Sequence, residues 1–205
     1  MADPGDPAAA DRRTLRHQQL LAAANLRFRE QGYEATTAAS IARDAGVTER
    51  TFFRHFATKA DVLVANWAGY RDTLRGVLGA SRKPDVADVV ADALRAFLRG
   101  VEAEHTAGLD SLVLLYTDRA AFAAITEHVL AVEDDLAEAI GRRTGRPSED
   151  FVVRVASNAA LGVMRAAVRS RLSTPSAPTM LVLFDRGIPG LRPVFDALTA
   201  DGRSG

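Results

Sequence analysis

The sequence predicts an all-α protein: a small N-terminal three-helix unit joined to a larger helical body. Apolar residues recur at steps of three and four along nearly the whole chain. No two alternating runs flank a turn as a β-hairpin requires. Glycines, prolines and hydroxyl or carboxyl capping residues punctuate the pattern at helix-length intervals.

The first ten residues, MADPGDPAAA, hold two Asp, two Pro and no basic side chain. They lack the features of a signal peptide, so 1–11 are expected to be a disordered lead-in. In TLRHQQLLAAANLRFREQGY, Leu15, Leu20 or Leu21, Ala24 and Phe28 fall near one stripe. Gly32 supplies a stop, which places the first helix at roughly 12 to 31. Thr37 suits the N-cap of a second helix, with Ile41 and Ala42 pointing inward and Gly46 ending it. Thr48 is the next N-cap, opening a short third helix to about His55. Thr58 then caps a fourth, where Leu63, Trp67 and Leu74 continue an apolar face to about Leu78.

The polar stretch GASRKPD breaks the pattern, and periodic segments follow at 84–101, 106–117, 119–141 and 148–171. FVVRV would suit a strand in isolation, but the ASNAALGVMRAAV that follows favours one long helix. LSTPSAPT is a loop, 179–186 is helical, and GIPGLRP interrupts before a short VFDALTA helix. The expected domains are 12–57 and 58–205.

With 205 residues, 47% of them apolar, the chain can bury a substantial core. Its 26 basic and 26 acidic side chains balance overall. Their distribution does not: from Arg12 to Lys59 there are nine Arg or Lys and four acids, a local excess of five positive charges. The absence of cysteine excludes disulfides and thiolate chemistry. No HExxH, glycine-rich phosphate loop or His/Asp cluster at metal spacing is present, so no catalytic residue, metal or cofactor is expected. No uninterrupted apolar run approaches ~20 residues, so no membrane span is expected and a cytoplasmic location follows.

Two short helices joined at Gly46, with Ala42 and Ala45 permitting close approach and Val47 plugging the turn, suit a helix-turn-helix. Phe52 and Phe56, four apart, share an inward face. The third helix is then left to present Glu49, Arg50, Thr51 and Arg54, where a recognition helix meets base edges. The run GYEATTAASIARDAGVTERTFFRHFATKADVL resembles the DNA-binding signature of the TetR family of bacterial transcriptional repressors. The likeness rests on the Gly-Tyr pair, the Thr opening the second helix, Ile41-Ala42 and the Ala45-Gly46-Val47 turn. Thr48 three before Thr51, the aromatic Phe53, His55-Phe56, and Lys59 three beyond Phe56 complete it. It covers about 50 residues.

The resemblance implies a double-stranded DNA operator as partner. Thr37 and Thr48 would cap their helices and also touch DNA, Thr37 at a backbone phosphate. Arg50 and Thr51 are the base-reading candidates. Phe53, where the family often has tyrosine, would pack on sugar or a base methyl without a phenolic phosphate contact. Arg54, His55 and Lys59 would hold phosphates and so position the duplex.

For the rest of the chain, the resemblance implies a helical ligand-binding and dimerisation domain with an unidentified small-molecule effector. Trp67, Tyr70, Phe97, Leu112, Tyr116 and Phe122 are candidates for an apolar cavity between helices, and the same spacing also suits ordinary core. Val152, Ala156, Ala159, Val163 and Ala167 form a stripe that, with Phe184, would build a four-helix homodimer interface. That stripe fits the interior of one protomer equally well. A pure protein-interaction module is the rival reading, and the basic first helix, Arg50 and Lys59 argue against it.

Overall fold

The computed structural model describes residues 7–103, 115–116, 118–174 and 176–200, excluding the side chains of 7–10, 66–68 and 199–200. Leu112, one of the cavity candidates, lies outside the described residues, as does most of the helix expected at 106–117; of Trp67 only the backbone is described. Among the described residues every regular element is helical. By chain range the protein divides into two compact units, Met1–Ala65 with Leu109–Ile125, and Asn66–Gly108 with Thr126–Gly205. The division falls inside the fourth helix, whereas the sequence boundary at 57/58 follows the break before it.

In the first unit, α1 spans Pro7–Ala35 and kinks at Gly32, whose φ of 79° ends the regular helix there. Residues 7–11, expected in the lead-in, are therefore helical. A proline in the first turn removes only a donor that has no intrahelical partner, and the alanines after it are strong helix formers. The stripe buried by α1 runs through Leu20, Ala24 and Phe28, while Leu15 is exposed. Helix α2, Ala38–Asp44, buries Ile41 and Ala42; α3, Glu49–His55, buries Phe52. Gly46, at φ 68°, makes the tight turn between them, and the Val47 amide donates to the Ala42 carbonyl. The Arg27 guanidinium grips the Asp44 carboxylate through Nε and Nη2, tying α1 to α2. Helix α4, Lys59–Ala80, starts at a reciprocal cap: the Thr58 amide donates to Asp61 and the Asp61 amide to the Thr58 hydroxyl. The later part of this unit is α6, Arg119–Ala124, capped by Asp118.

The second unit packs α5 (Val86–Ala103), α7 (Thr126–Thr144), α8 (Phe151–Ser173), α9 (Met180–Gly187) and α10 (Arg192–Ala200), with a 3₁₀ turn at Ile188–Leu191. Pro189 occupies that turn. The segment expected as one helix over 119–141 breaks at Ile125, whose backbone leaves the helical region. Leu94, Leu98, Leu136, Ile140, Ala156 and Phe184 form the middle of the core. Asp135 is buried on α7 and accepts from Arg71 at 2.5 Å and Arg75 at 2.9 Å, so one carboxylate compensates two guanidinium groups on α4.

Helix α8 has a stretch long and apolar enough to cross a membrane by composition, which the run-length criterion did not register. It packs along α7 and α9 and buries Val153, Ala160, Leu161 and Val168, which is the behaviour of a core helix. Three interface candidates are corrected by the same packing. Ala156, Ala167 and Phe184 are buried in their own protomer, and Val163 lies so close to Gly187 that a Cβ there would sit 2.4 Å from its Cγ1. Ala156, Ala167 and Phe184 thus face inward, the alternative that the stripe's small residues allow, whereas Val152, Ala159 and Val163 are half-exposed.

Phe184→Ala is expected to destabilise the protomer by about 3–5 kcal/mol through lost burial and a residual cavity. Urea unfolding checks this; an unaltered midpoint with weakened self-association would return Phe184 to an interface.

Candidate nucleic-acid interface

The outward face of α3 is assembled by two threonines. Thr48 caps α3, its hydroxyl accepting from the Thr51 amide at 3.2 Å and lying 3.1 Å from the Thr51 hydroxyl. That pairing fixes the Thr51 side chain at the first turn. Thr37 caps α2 in a reciprocal arrangement with Ser40, with amide-to-hydroxyl bonds of 3.1 Å in both directions. Both capping residues are exposed, at helix N-termini, whose dipole favours an anion.

Arg50 and Arg54 are exposed on α3, and neither has a hydrogen-bond or ion-pair partner among the described residues. Phe53, on the same helix, is 50% exposed and meets Phe52 edge to face at 5.4 Å. An aromatic ring left half in water beside unpaired guanidinium groups suits a ligand with both apolar and anionic surface, as a nucleic-acid groove offers. Arg50, Thr51, Phe53 and Arg54 share one short helix, and Thr37 lies at the start of α2, packed on it.

Lys59 is placed differently from the phosphate contact expected of it. Its Nζ donates to the carbonyls of Tyr33 at 2.6 Å and Thr36 at 2.7 Å, and lies 4.0 Å from the centre of the Tyr33 ring. Two of its three N–H donors are thereby engaged at the end of α1, leaving at most one for a phosphate. Burial holds the ammonium pKa below its usual value, against the opposing pull of Glu34 and Asp118. These carbonyls lie just beyond the Gly32 kink, where the chain leaves the regular helix; that of Tyr33 also accepts from the Thr36 amide at 3.3 Å. Asp118 completes the junction: it accepts from the Tyr33 amide at 3.0 Å while capping α6 through Ala120 and Ala121. These amides, Ala121 foremost, hold its carboxyl below the usual range despite partial burial.

His55 is half-buried at the end of α3 and meets a residue that sequence reasoning did not select. His17 on α1 stacks on Phe56 at 4.8 Å, and its ring lies 5.9 Å from that of His55. The available signal was its position three before Leu20 and seven before Ala24, on the buried stripe. Burial is the main cause lowering both histidine pKa values; Arg13 adds to it at His17, and His17, Arg54, Arg13 and Arg16 add to it at His55.

The cavity candidates do not assemble as one set. Tyr70 and Phe97 meet edge to face at 5.7 Å within the second unit, where the Tyr70 ring occupies the space a Cβ at Gly100 would need. Tyr116 and Phe122 belong to the first unit, Phe122 being 47% exposed. A surface cavity of the second unit, lined by residues including Val86, Thr144, Phe195 and Leu198, contains none of the six. Of the interface candidates, Val152 and Ala159 are half-exposed. The large apolar side chains facing solvent nearby are instead Phe151 at 80%, Val155 and Val182.

Residues 20–65 match the family described as bacterial regulatory proteins, tetR family, and residues 84–196 match the MftR C-terminal domain. The HTH-type transcriptional regulator TcmR of Streptomyces glaucescens is 45% identical over 60 residues, 29% of this chain and 26% of that protein. The matched stretch thus spans about a quarter of that relative. Among solved structures, a TetR-family regulator from Mesorhizobium loti aligns at TM-score 0.62 and 17% identity, covering 91% of this chain and 98% of the other. NalD of Pseudomonas aeruginosa, the secondary repressor of the MexAB-OprM efflux pump, aligns at 0.62 and 20%, covering 90% and 96%. Thermus thermophilus FadR in complex with lauroyl-CoA aligns at 0.56 and 24%, covering 86% and 93%. At these identities the solved structures establish the fold.

The His17–His55 contact generates a pH prediction. Folded-state values below the ordinary ~6.5 mean that the unfolded chain binds more protons in the window between them. The stabilising contribution is therefore complete above about pH 6.5 and is lost as pH falls through the folded values. NMR titration of the two imidazoles is expected to give midpoints below ~6.5, and His17→Gln should flatten the melting-temperature decline between about pH 7 and 5. Midpoints at or above 6.5 would contradict the buried contact.

Proposed function

Since the chain belongs to the tetR family of bacterial regulatory proteins, and is a helix-turn-helix transcription regulator and not an enzyme, we propose that it acts as a homodimeric repressor released from its operator by a small molecule. The observation that carries the reading is the face of α3, where Arg50, Thr51, Phe53 and Arg54 stand on a helix fixed by the Thr48 cap. In this reading two copies of α3 enter major grooves about 34 Å apart on an inverted-repeat operator in the cytoplasm. Arg50 and Thr51 read base edges; Phe53 packs on sugar or a thymine methyl. Thr37, Arg54 and His55 hold phosphates, and Lys59 offers its one remaining N–H to the same backbone.

The dimer would form through the outer face of α8, where Phe151, Val155, Ala159, Gly162 and Ala166 recur at helical spacing, together with Val182 of α9. Gly162 has open space where a side chain would begin, which allows a second helix to approach. The exposed large side chains on this face support a second copy as its cover. Effector release is supported by a neighbour of the same fold that holds lauroyl-CoA. Release requires the effector to bind the DNA-free conformation more tightly than the DNA-bound one.

Selection of bound fragments from random-sequence DNA at physiological salt tests the operator reading, with an inverted repeat expected and no recovered motif counting against it. On the selected site, Arg50→Ala is expected to remove about 1–3 kcal/mol of discrimination against mismatched duplex; equal loss on random duplex would remove Arg50 from base reading. Phe151→Glu combined with Val155→Glu should give a folded monomer by sedimentation, and an intact dimer would place the interface elsewhere.

A further inference from the structure

The first turns of α1 reach beyond the helix-turn-helix match, which begins at residue 20. They are anchored by His17, stacked on Phe56 and 5.9 Å from the His55 ring at the end of α3. Positions 13, 16, 17 and 20 share one side of a helix, because residues three and four apart lie above one another. With Leu20 fully buried and His17 half-buried, Arg13 and Arg16 emerge on the same side, one turn nearer the N-terminus, and both are exposed. Neither has a hydrogen-bond or ion-pair partner among the described residues. Both fields are felt at His55, so they border the C-terminal end of the recognition helix, where Arg54 is also unpaired. The acids nearest in sequence, Asp11 on α1 and Glu49 on α3, leave this edge with a net positive charge.

We infer that Arg13 and Arg16 form, with Arg54, a clamp for the DNA phosphate backbone that extends the contact surface from α3 onto the N-terminal turns of α1. The ligand class is the phosphodiester backbone of duplex DNA. Single exposed guanidinium groups with no partner in the protein recognise phosphate charge without reading sequence. The inference rests on the DNA-binding reading and adds two residues outside the matched helix-turn-helix segment.

The test is the salt dependence of binding by the full chain, measured on an operator selected from random-sequence DNA and on an unrelated duplex of equal length. For Arg13→Gln combined with Arg16→Gln, the slope of log K against log salt is expected to become shallower by roughly 1.8 per bound protomer on both duplexes, with the ratio between them unchanged. Arg13→Lys combined with Arg16→Lys should keep the native slope, since charge is retained. An unchanged slope in the glutamine variant, with wild-type binding intact, overturns the clamp and leaves the DNA-binding reading standing. Loss confined to the operator also overturns it, because phosphate contacts cannot discriminate sequence. If the wild-type chain binds neither duplex in a salt-dependent manner, both the clamp and the DNA-binding reading fall.

Discussion

The first unit depends on how the chain is satisfied after it leaves α1. Gly32 turns the backbone to a positive φ, and the regular helix ends there, with the Tyr33 carbonyl accepting only a long 3.3 Å bond from the Thr36 amide within the backbone. Left partly buried without donors, such groups would cost on the order of 1–3 kcal/mol each. The Lys59 ammonium supplies two bonds, the Thr36 hydroxyl caps the Gly32 carbonyl at 2.8 Å, and Asp118 accepts the Tyr33 amide. One cation and one anion thus fix the angle at which α1 hands over to α2. Every residue on the proposed DNA-facing side inherits that angle, because α2 and α3 are too short to be stable without tertiary support.

Satisfaction inside the protein also explains which side chains remain available for the proposed DNA contact. Thr48 and Thr37 are held by their own helix caps, so they present fixed oxygens. Arg27 is clamped to Asp44 and is removed from the basic surface despite its place in the charge count. Arg50, Arg54, Arg13 and Arg16 have no such partner among the described residues. Counting charges along the sequence overstates the usable positive surface, and pairing decides which members of the count remain.

Local chemistry was legible in the sequence wherever a single turn decides the outcome. The caps at Thr37, Thr48 and Thr58, the turns at Gly32 and Gly46, and the buried Phe52 and Phe56 all follow from neighbours within four residues. The break at Ile125 carries no glycine or proline to announce it. Assigning the Val152–Ala167 stripe to a partner could not be settled by periodicity, because helix α8 has small residues on several sides and both faces show the same 3.6-residue repeat. The role of Lys59 was hidden for a different reason: its acceptors are 23 and 26 positions away and exist only because the helix bends at Gly32.

Asp118 gives the first unit an unusual order of assembly. The helix-turn-helix itself is complete in the chain by His55, yet the carboxylate that receives the Tyr33 amide comes 85 positions after that residue. During synthesis at ~5–20 residues per second, Tyr33 must wait on the order of several seconds for its partner to be made. Until then the nascent helix-turn-helix leaves that amide and one side of α1 to water or to other chains. The reading head is thus encoded first but finished late, its last fastening delivered only after much of the second unit's first helices has been translated.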